Sequence, residues 1–304
     1  MTPKQLLRAA LALAILLLLW GATLLFKKTR ADQPIGMKIP VIPSSAADSI
    51  RITTSSDTIL LAKVAGGWTV NGNPASTPIV EEFFKALADT IEPSELVAEN
   101  VASHQRLGVD SVSGRHVVVR GGGHTQLDLY FGSHGPDFEG VYARRAGEVP
   151  VYLLHGDLPG TVDRRDEDWR DKKMAAISPD TVARVEIARG EHSYALTKGK
   201  TWSFAGGTPV DSGAVVRLLE NFRSLSANGF PSKHEADSAR FYKKARRIKL
   251  LDASGHPLVA LAFDSGAGGF LVRVDTTSTL YRMDTWVVDQ LTPADSVLKP
   301  GKKK

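Results

Sequence analysis

The sequence predicts an α+β fold: an N-terminal transmembrane helix followed by two tandem repeats, each an antiparallel sheet packed with an amphipathic helix. Three observations carry this expectation. An apolar run occupies residues 9–26. Behind it, short runs of alternating apolar residues are bounded by Gly-rich and polar turns, the pattern of antiparallel strands. A tryptophan strand also recurs, as KVAGGWTVNG around Trp68 and KGKTWSFAGG around Trp202.

The apolar run comes first in the chain. In a helix rising 1.5 Å per residue, about 18–20 residues cross most of a ~30 Å hydrocarbon core. Lys4 and Arg8 precede the run, and Lys27, Lys28 and Arg30 follow it. Basic residues directly after such a run are unusual before a cleavage site, so residues 1–30 read as an uncleaved signal anchor that meets the lipid bilayer through residues 9–26. A large C-terminal body translocates largely regardless of such charges. The expected topology is a single-pass inner-membrane protein, with the N-terminus cytoplasmic and the body periplasmic. Residues 31–48 carry Pro34, Pro40 and Pro43 and read as an extended stalk.

The body reads as two copies, residues 49–162 and 181–295, with a charged linker at 163–180 and a basic tail at 296–304. Each copy begins with strand, turn, strand and Trp strand. A helix follows in each. Thr77 caps the first, with Pro78 behind it and Ile79, Val80, Phe83, Phe84, Leu87 and Ile91 on one side. Asp211 caps the second, with Val215, Val216, Leu218, Leu219, Phe222 and Leu225 as its apolar positions. Residues 116–154 and 247–283 each split into four strands of a meander. Short closing helices follow at His155–Val162 and Asp284–Leu291. At the same point of both copies, Trp68 and Trp202 read as core anchors rather than ligand platforms.

Composition narrows the chemistry. There are no cysteines, which excludes disulfides, a cysteine nucleophile, Cys-ligated zinc and iron–sulfur clusters. The net charge is +5, but the first 30 residues hold five basic residues and the last six hold four, with no acid in either segment. Removing those leaves −4 over residues 31–298, so the body is mildly acidic. That argues against a nucleic-acid-binding face. No G-x-S-x-G, P-loop, H-E-x-x-H or dinucleotide fingerprint is present. No cofactor or metal is expected. RGGGHTQ, residues 120–126, reads as a hairpin turn. SHGPDFEG, residues 133–140, offers His134, Asp137 and Glu139 as a weak candidate for a metal or acid–base site. DRRDEDWRDKK, residues 163–173, balances five acids against five bases. Alternating signs favour local ion pairs. The run is expected to clamp one copy to the other, with Trp169 as apolar anchor and Arg170, Asp171 and Lys172 as possible partner contacts.

The Trp strand, the helix after it, LVAENVASHQRLGVD (96–110) and DWRDKKMAAISPDTVARVEIARG (168–190) resemble the domain-of-unknown-function 4340 family. The most specific part comprises Arg170, Asp171, Lys172, Pro179, Val182, Arg184, Glu186 and Ile187. The resemblance covers about residues 47–295. It departs between Phe230 and Arg246 of the second copy, where PSKHEADSARFYKKARR replaces the Leu-Gly-Val-Asp segment. The resemblance implies a membrane-anchored, duplicated protein with no established catalytic activity and an accessory role beside gliding-type or ABC transporter components. The expected function is therefore a non-catalytic scaffold for envelope or transporter proteins. The alternatives are an envelope hydrolase with a site between the copies, or a carbohydrate- or peptidoglycan-binding module using Phe138, Tyr142 and Trp169.

Overall fold

The computed structural model describes Trp20 and residues 36–300, apart from residues 137, 139, 243, 244 and 267. The expected span at 9–26, except Trp20, lies outside the described residues, as does the end of the basic tail. Among the described residues no helix is long and apolar enough to cross a membrane. The fold is mixed α+β, and the chain divides into two compact units, Met1–Arg170 and Asp171–Lys304.

Unit 1 is built on strands β1 (Ser49–Thr53), β2 (Thr58–Val64), β3 (Gly67–Val70), β4 (Asn73–Pro74), β5 (Ile91–Ala98), β6 (Arg115–Gly121), β7 (His124–His134), β8 (Gly140–Arg145) and β9 (Val151–His155). They form one antiparallel sheet in the order β4-β3-β2-β1-β6-β7-β8-β9-β5. Alternation puts Ile50, Ile52, Leu61, Val117, Val119, Leu129 and Phe131 on one face, all buried. Helix α1 (Thr77–Ala88) lays Val80, Phe83, Phe84 and Leu87 in the same core cluster. Thr77 is the first helical residue rather than the cap. Ser76 holds the cap position, its amide donating to the Trp169 carbonyl at 2.8 Å. The RGGGHTQ turn is the β6–β7 hairpin, with Gly122 and Gly123 at φ 58° and 78°. Both central residues of such a tight hairpin need positive φ.

The stalk expectation needs correction from residue 37 onward. Met37, Ile42 and Ala47 are buried in the unit 1 core. The Met37 amide donates to Ser94 Oγ at 2.6 Å, and Ser94 Oγ donates back to the Met37 carbonyl at 3.1 Å. Three prolines suggest a solvated strap, but three well-spaced apolar side chains gain more by burial.

Short helices α2 (Ser103–Leu107), α3 (Leu158–Val162) and α4 (Asp166–Trp169) complete unit 1. Leu107 and Val109 form a small second cluster with Val151, against which Tyr130 and Tyr142 pack. That cluster covers part of the sheet face opposite α1. The close approach depends on Gly132: a Cβ there would lie 2.1 Å from the Leu107 carbonyl oxygen.

In unit 2, β10 (Lys173–Ala175) pairs with β14 (Leu225–Ser226). A larger sheet contains β11 (Arg184–Arg189), β12 (His192–Lys198), β13 (Trp202–Phe204), β15 (Arg246–Leu251), β16 (Pro257–Gly266), β17 (Gly269–Val274) and β18 (Leu280–Met283). Its order is β13-β12-β11-β15-β16-β17-β18. Helix α5 (Ser212–Glu220) buries Val215, Leu218 and Leu219 with Val185, Ile187, Ile248 and Leu261. Asp211 caps it, accepting from the Gly213 and Ala214 amides at 2.8 and 3.2 Å. Helices α6 (Lys233–Ser238) and α7 (Thr285–Leu291) follow. The expected tail boundary at 296 also moves, because Leu298 is buried and its carbonyl accepts the Asp211 amide.

Gly132→Ala is expected to destabilise the protein by about 1–3 kcal/mol, the usual range for overpacking. Thermal unfolding checks this. Amide exchange should quicken first at Leu107–Val109.

Candidate functional site

The tryptophans separate cleanly. Trp68 is 7% exposed and Trp202 8%. Trp68 pairs across the ladder with Lys63, and Trp202 with Lys198. Trp68 lies 6.3 Å from Phe84 of α1. Trp169 is fully buried, 5.9 Å from Phe83, with the Arg164 guanidinium 5.4 Å from its ring. A buried Trp169 offers no surface to a sugar. Tyr142 is half-buried against Leu107 and Val109. Phe138 alone of that trio is open, at 77% exposure.

The charged run 163–173 divides at the unit boundary. Its first part closes unit 1. Ala75 and Arg170 form a β-bridge, and Arg170 donates to Asn73 Oδ1 at 3.3 Å. Asn71 Nδ2 donates to Asp166 Oδ1 at 2.8 Å, and Arg164 pairs with Glu82 on α1. The turn after the Trp68 strand is thereby fastened to the segment carrying Trp169. Burial pushes the Asp166 carboxyl up from its ordinary value, against the opposing pull of Arg170 and Asn71. Asp171 and Lys172 belong to unit 2, where the Lys172 carbonyl accepts the Ala227 amide at 2.8 Å. Arg170, Asp171 and Lys172 are all half-buried.

His134 lies 3.1 Å from Asp163 Oδ2, and Arg115 holds the other oxygen of that carboxylate at 2.8 Å. Asp137 and Glu139, its expected companions, lie outside the described residues. A carboxylate can orient an imidazole for proton transfer. Here the same carboxylate is shared with a guanidinium, and among the described residues no hydroxyl is hydrogen-bonded to His134. No group of three metal-ligating side chains occurs among the described residues.

The outward sheet faces differ most. In unit 1 one cross-strand row runs Thr53, His116, Tyr130, Arg144. His116 stacks on Tyr130 at 4.3 Å, and Arg144 lies 4.6 Å over the same ring. His116 Nε2 meets Asp128 Oδ1 at 2.7 Å, and Arg144 Nε donates to the Val109 carbonyl at 3.0 Å. This row is filled by its own side chains. In unit 2 the row at the same ladder position runs Ala188, Arg247, Ala262, Arg273. The next row runs Ala195, Glu186, Lys249, Ala260. Between these side chains lies an open hollow of about 600 Å³.

The sequence reading missed this surface. Arg247 and Arg273 sit on different strands, and only the ladder brings them to one row. A usable signal was present in PLVALAF, where the outward positions of a half-exposed strand are alanines instead of long polar residues.

The family model for the domain of unknown function DUF4340 matches residues 68–244, from the Trp68 strand into unit 2. No curated protein and no solved structure matches the chain.

Truncating Trp169 to alanine is expected to cost about 3–5 kcal/mol, measurable by denaturant unfolding. Asp166 gives a pH-dependent expectation. A carboxyl raised in the folded state adds stability that is fully present below its unfolded pKa and lost as pH rises through the folded value. Asp166→Asn keeps an acceptor for Asn71 and removes the charge. The variant should therefore melt above the parent at pH 7, and the gap should close as the pH approaches 4.

Proposed function

This chain belongs to the DUF4340 family, and from that membership we propose a non-catalytic accessory subunit of an envelope or transporter-type membrane complex. On this reading residues 9–26 form a transmembrane helix inserted with the N-terminus cytoplasmic. The body is a tandem duplication held outside the cytoplasm to dock partner proteins. Two features support the duplication. The β3-β2-β1-β6-β7-β8-β9 part of one sheet follows the same order as β13 to β18 of the other. LDLYFG (127–132) and VALAFD (259–264) also sit at equivalent ladder positions.

The observation that carries a docking role is the outward face of the unit 2 sheet. Unit 1 fills that row with Tyr130 between His116 and Arg144. Unit 2 leaves it open above alanine, among basic side chains. A binding surface needs no converging nucleophile and base, only a shaped and charged face of this kind.

Two measurements test the reading. Full-length protein should stay in membranes after carbonate extraction, while its body is digested by protease added from the periplasmic side. A photo-crosslinker at Ser193 should capture envelope or transporter proteins, whereas one at Val112 should not. Capture of lipid alone, or of the same proteins from both positions, would count decisively against a docking body.

A further inference from the structure

We propose that the open face of unit 2 binds an extended acidic segment of a partner protein, with one carboxylate seated above Ala262 between Arg247 and Arg273. The proposal rests on the docking role above and names the chemistry of the partner.

Two rows at one ladder position differ between the units. In unit 1 the Tyr130 ring fills the space between His116 and Arg144. In unit 2 those neighbours are Arg247 and Arg273, and the side chain between them is a methyl group. The space of a ring is left open between two guanidinium groups. Both are positioned by the segment that precedes β15. Arg247 Nη2 donates to the Tyr242 carbonyl at 3.1 Å, and Arg273 lies 4.7 Å from the Phe241 ring centroid. Arg240 ties that segment down, its amide donating to Asp264 at 2.8 Å.

The charges decide what enters. Arg184, Arg247, Lys249 and Arg273 line the hollow with only Glu186 and Asp275 as acids. Glu186 is already paired with Arg184 at 2.9 Å, and Asp275 accepts the Ala260 amide at 3.1 Å. Arg247, Lys249 and Arg273 have no acidic partner among the described residues. Guanidinium groups bind carboxylates through paired, charge-assisted hydrogen bonds.

Spacing favours a polypeptide. Arg247 and Lys249 point from one face of one strand, about 6.6–6.8 Å apart along it. An extended peptide repeats its own same-side residues at that distance, so acids at alternate positions meet both cations. Arg273 stands two strands from Arg247, about 9.6 Å across the sheet. Ala188, Ala195, Ala260 and Ala262 keep the floor low enough for a peptide backbone to come close.

The test uses full-length protein in detergent micelles and a fluorescent Glu-Ala repeat peptide of about eight residues, followed by anisotropy at low salt. Saturable binding is expected, with none for the Lys-Ala repeat. Ala262→Tyr, which restores the unit 1 side chain, should weaken binding about tenfold or more and leave the melting temperature unchanged. Should Ala262→Tyr fold poorly, the Arg247→Gln/Arg273→Gln pair decides, with the same loss expected. No peptide binding, or binding unaffected by the arginine pair, overturns the proposal. Binding of polygalacturonate or of anionic vesicles in place of the peptide, through the same arginines, overturns the choice of occupant. The docking role has its own readout in the crosslink from Ser193. Crosslinked partners with no peptide binding would reject the acidic segment alone; peptide binding without crosslinked partners would reject the accessory role alone.

Discussion

A twisted antiparallel sheet has two faces, and the long helix of each unit can bury only one of them. Thr77–Ala88 and Ser212–Glu220 each cover the face rich in Val, Ile, Leu and Phe. What happens on the other face is then free to differ. In unit 1 a glycine at position 132 admits the Leu107–Val109 segment against the sheet, and aromatic and charged side chains close the rest. In unit 2 the corresponding ladder position is Asp264, whose carboxylate holds the backbone of Arg240 instead. The covering segment is pinned near one end of the strands, and the alanine floor stays open.

The charged run 163–173 takes its meaning from the same constraint. Helix α1 turns Phe83 into the core, and Trp169 packs against that ring from the end of unit 1. The polar residues around Trp169 fasten its segment to the turn after β3. A sequence rich in alternating charges thus does the work of a hydrophobic closure, because each charged side chain keeps some contact with water while one large ring goes fully inside.

The helix cores and the two meanders were legible in the sequence because their periodicities are clean, although the helical spacing carries on to Ile91 and Leu225, which lie in β5 and β14. Ile79 to Leu87 repeat at three and four residues, and LDLYFG and RRIKLL alternate at two. Other parts were not legible. Ile91–Ala98 contains Pro93 and little alternation, yet it joins the sheet at its edge, where pairing with β9 shifts register twice. Met37, Ile42 and Ala47 are too sparse to read as a core segment against three prolines. Among the candidate residues, Trp68, Trp169 and Trp202 could be placed by their repeated or clustered setting. The hollow around Ala262 could not, because it is defined by side chains that are small.

The burial of Met37 sets a leash. If residues 9–26 span the bilayer, only residues 27–36 separate the membrane surface from a side chain locked into the unit 1 core. Ten residues stretched fully reach at most ~33–36 Å. The point where the chain enters unit 1 can therefore rise no further than about one bilayer thickness above the membrane. A pull on the anchor would be felt at Ser94, through its two hydrogen bonds to Met37, once that short slack is taken up.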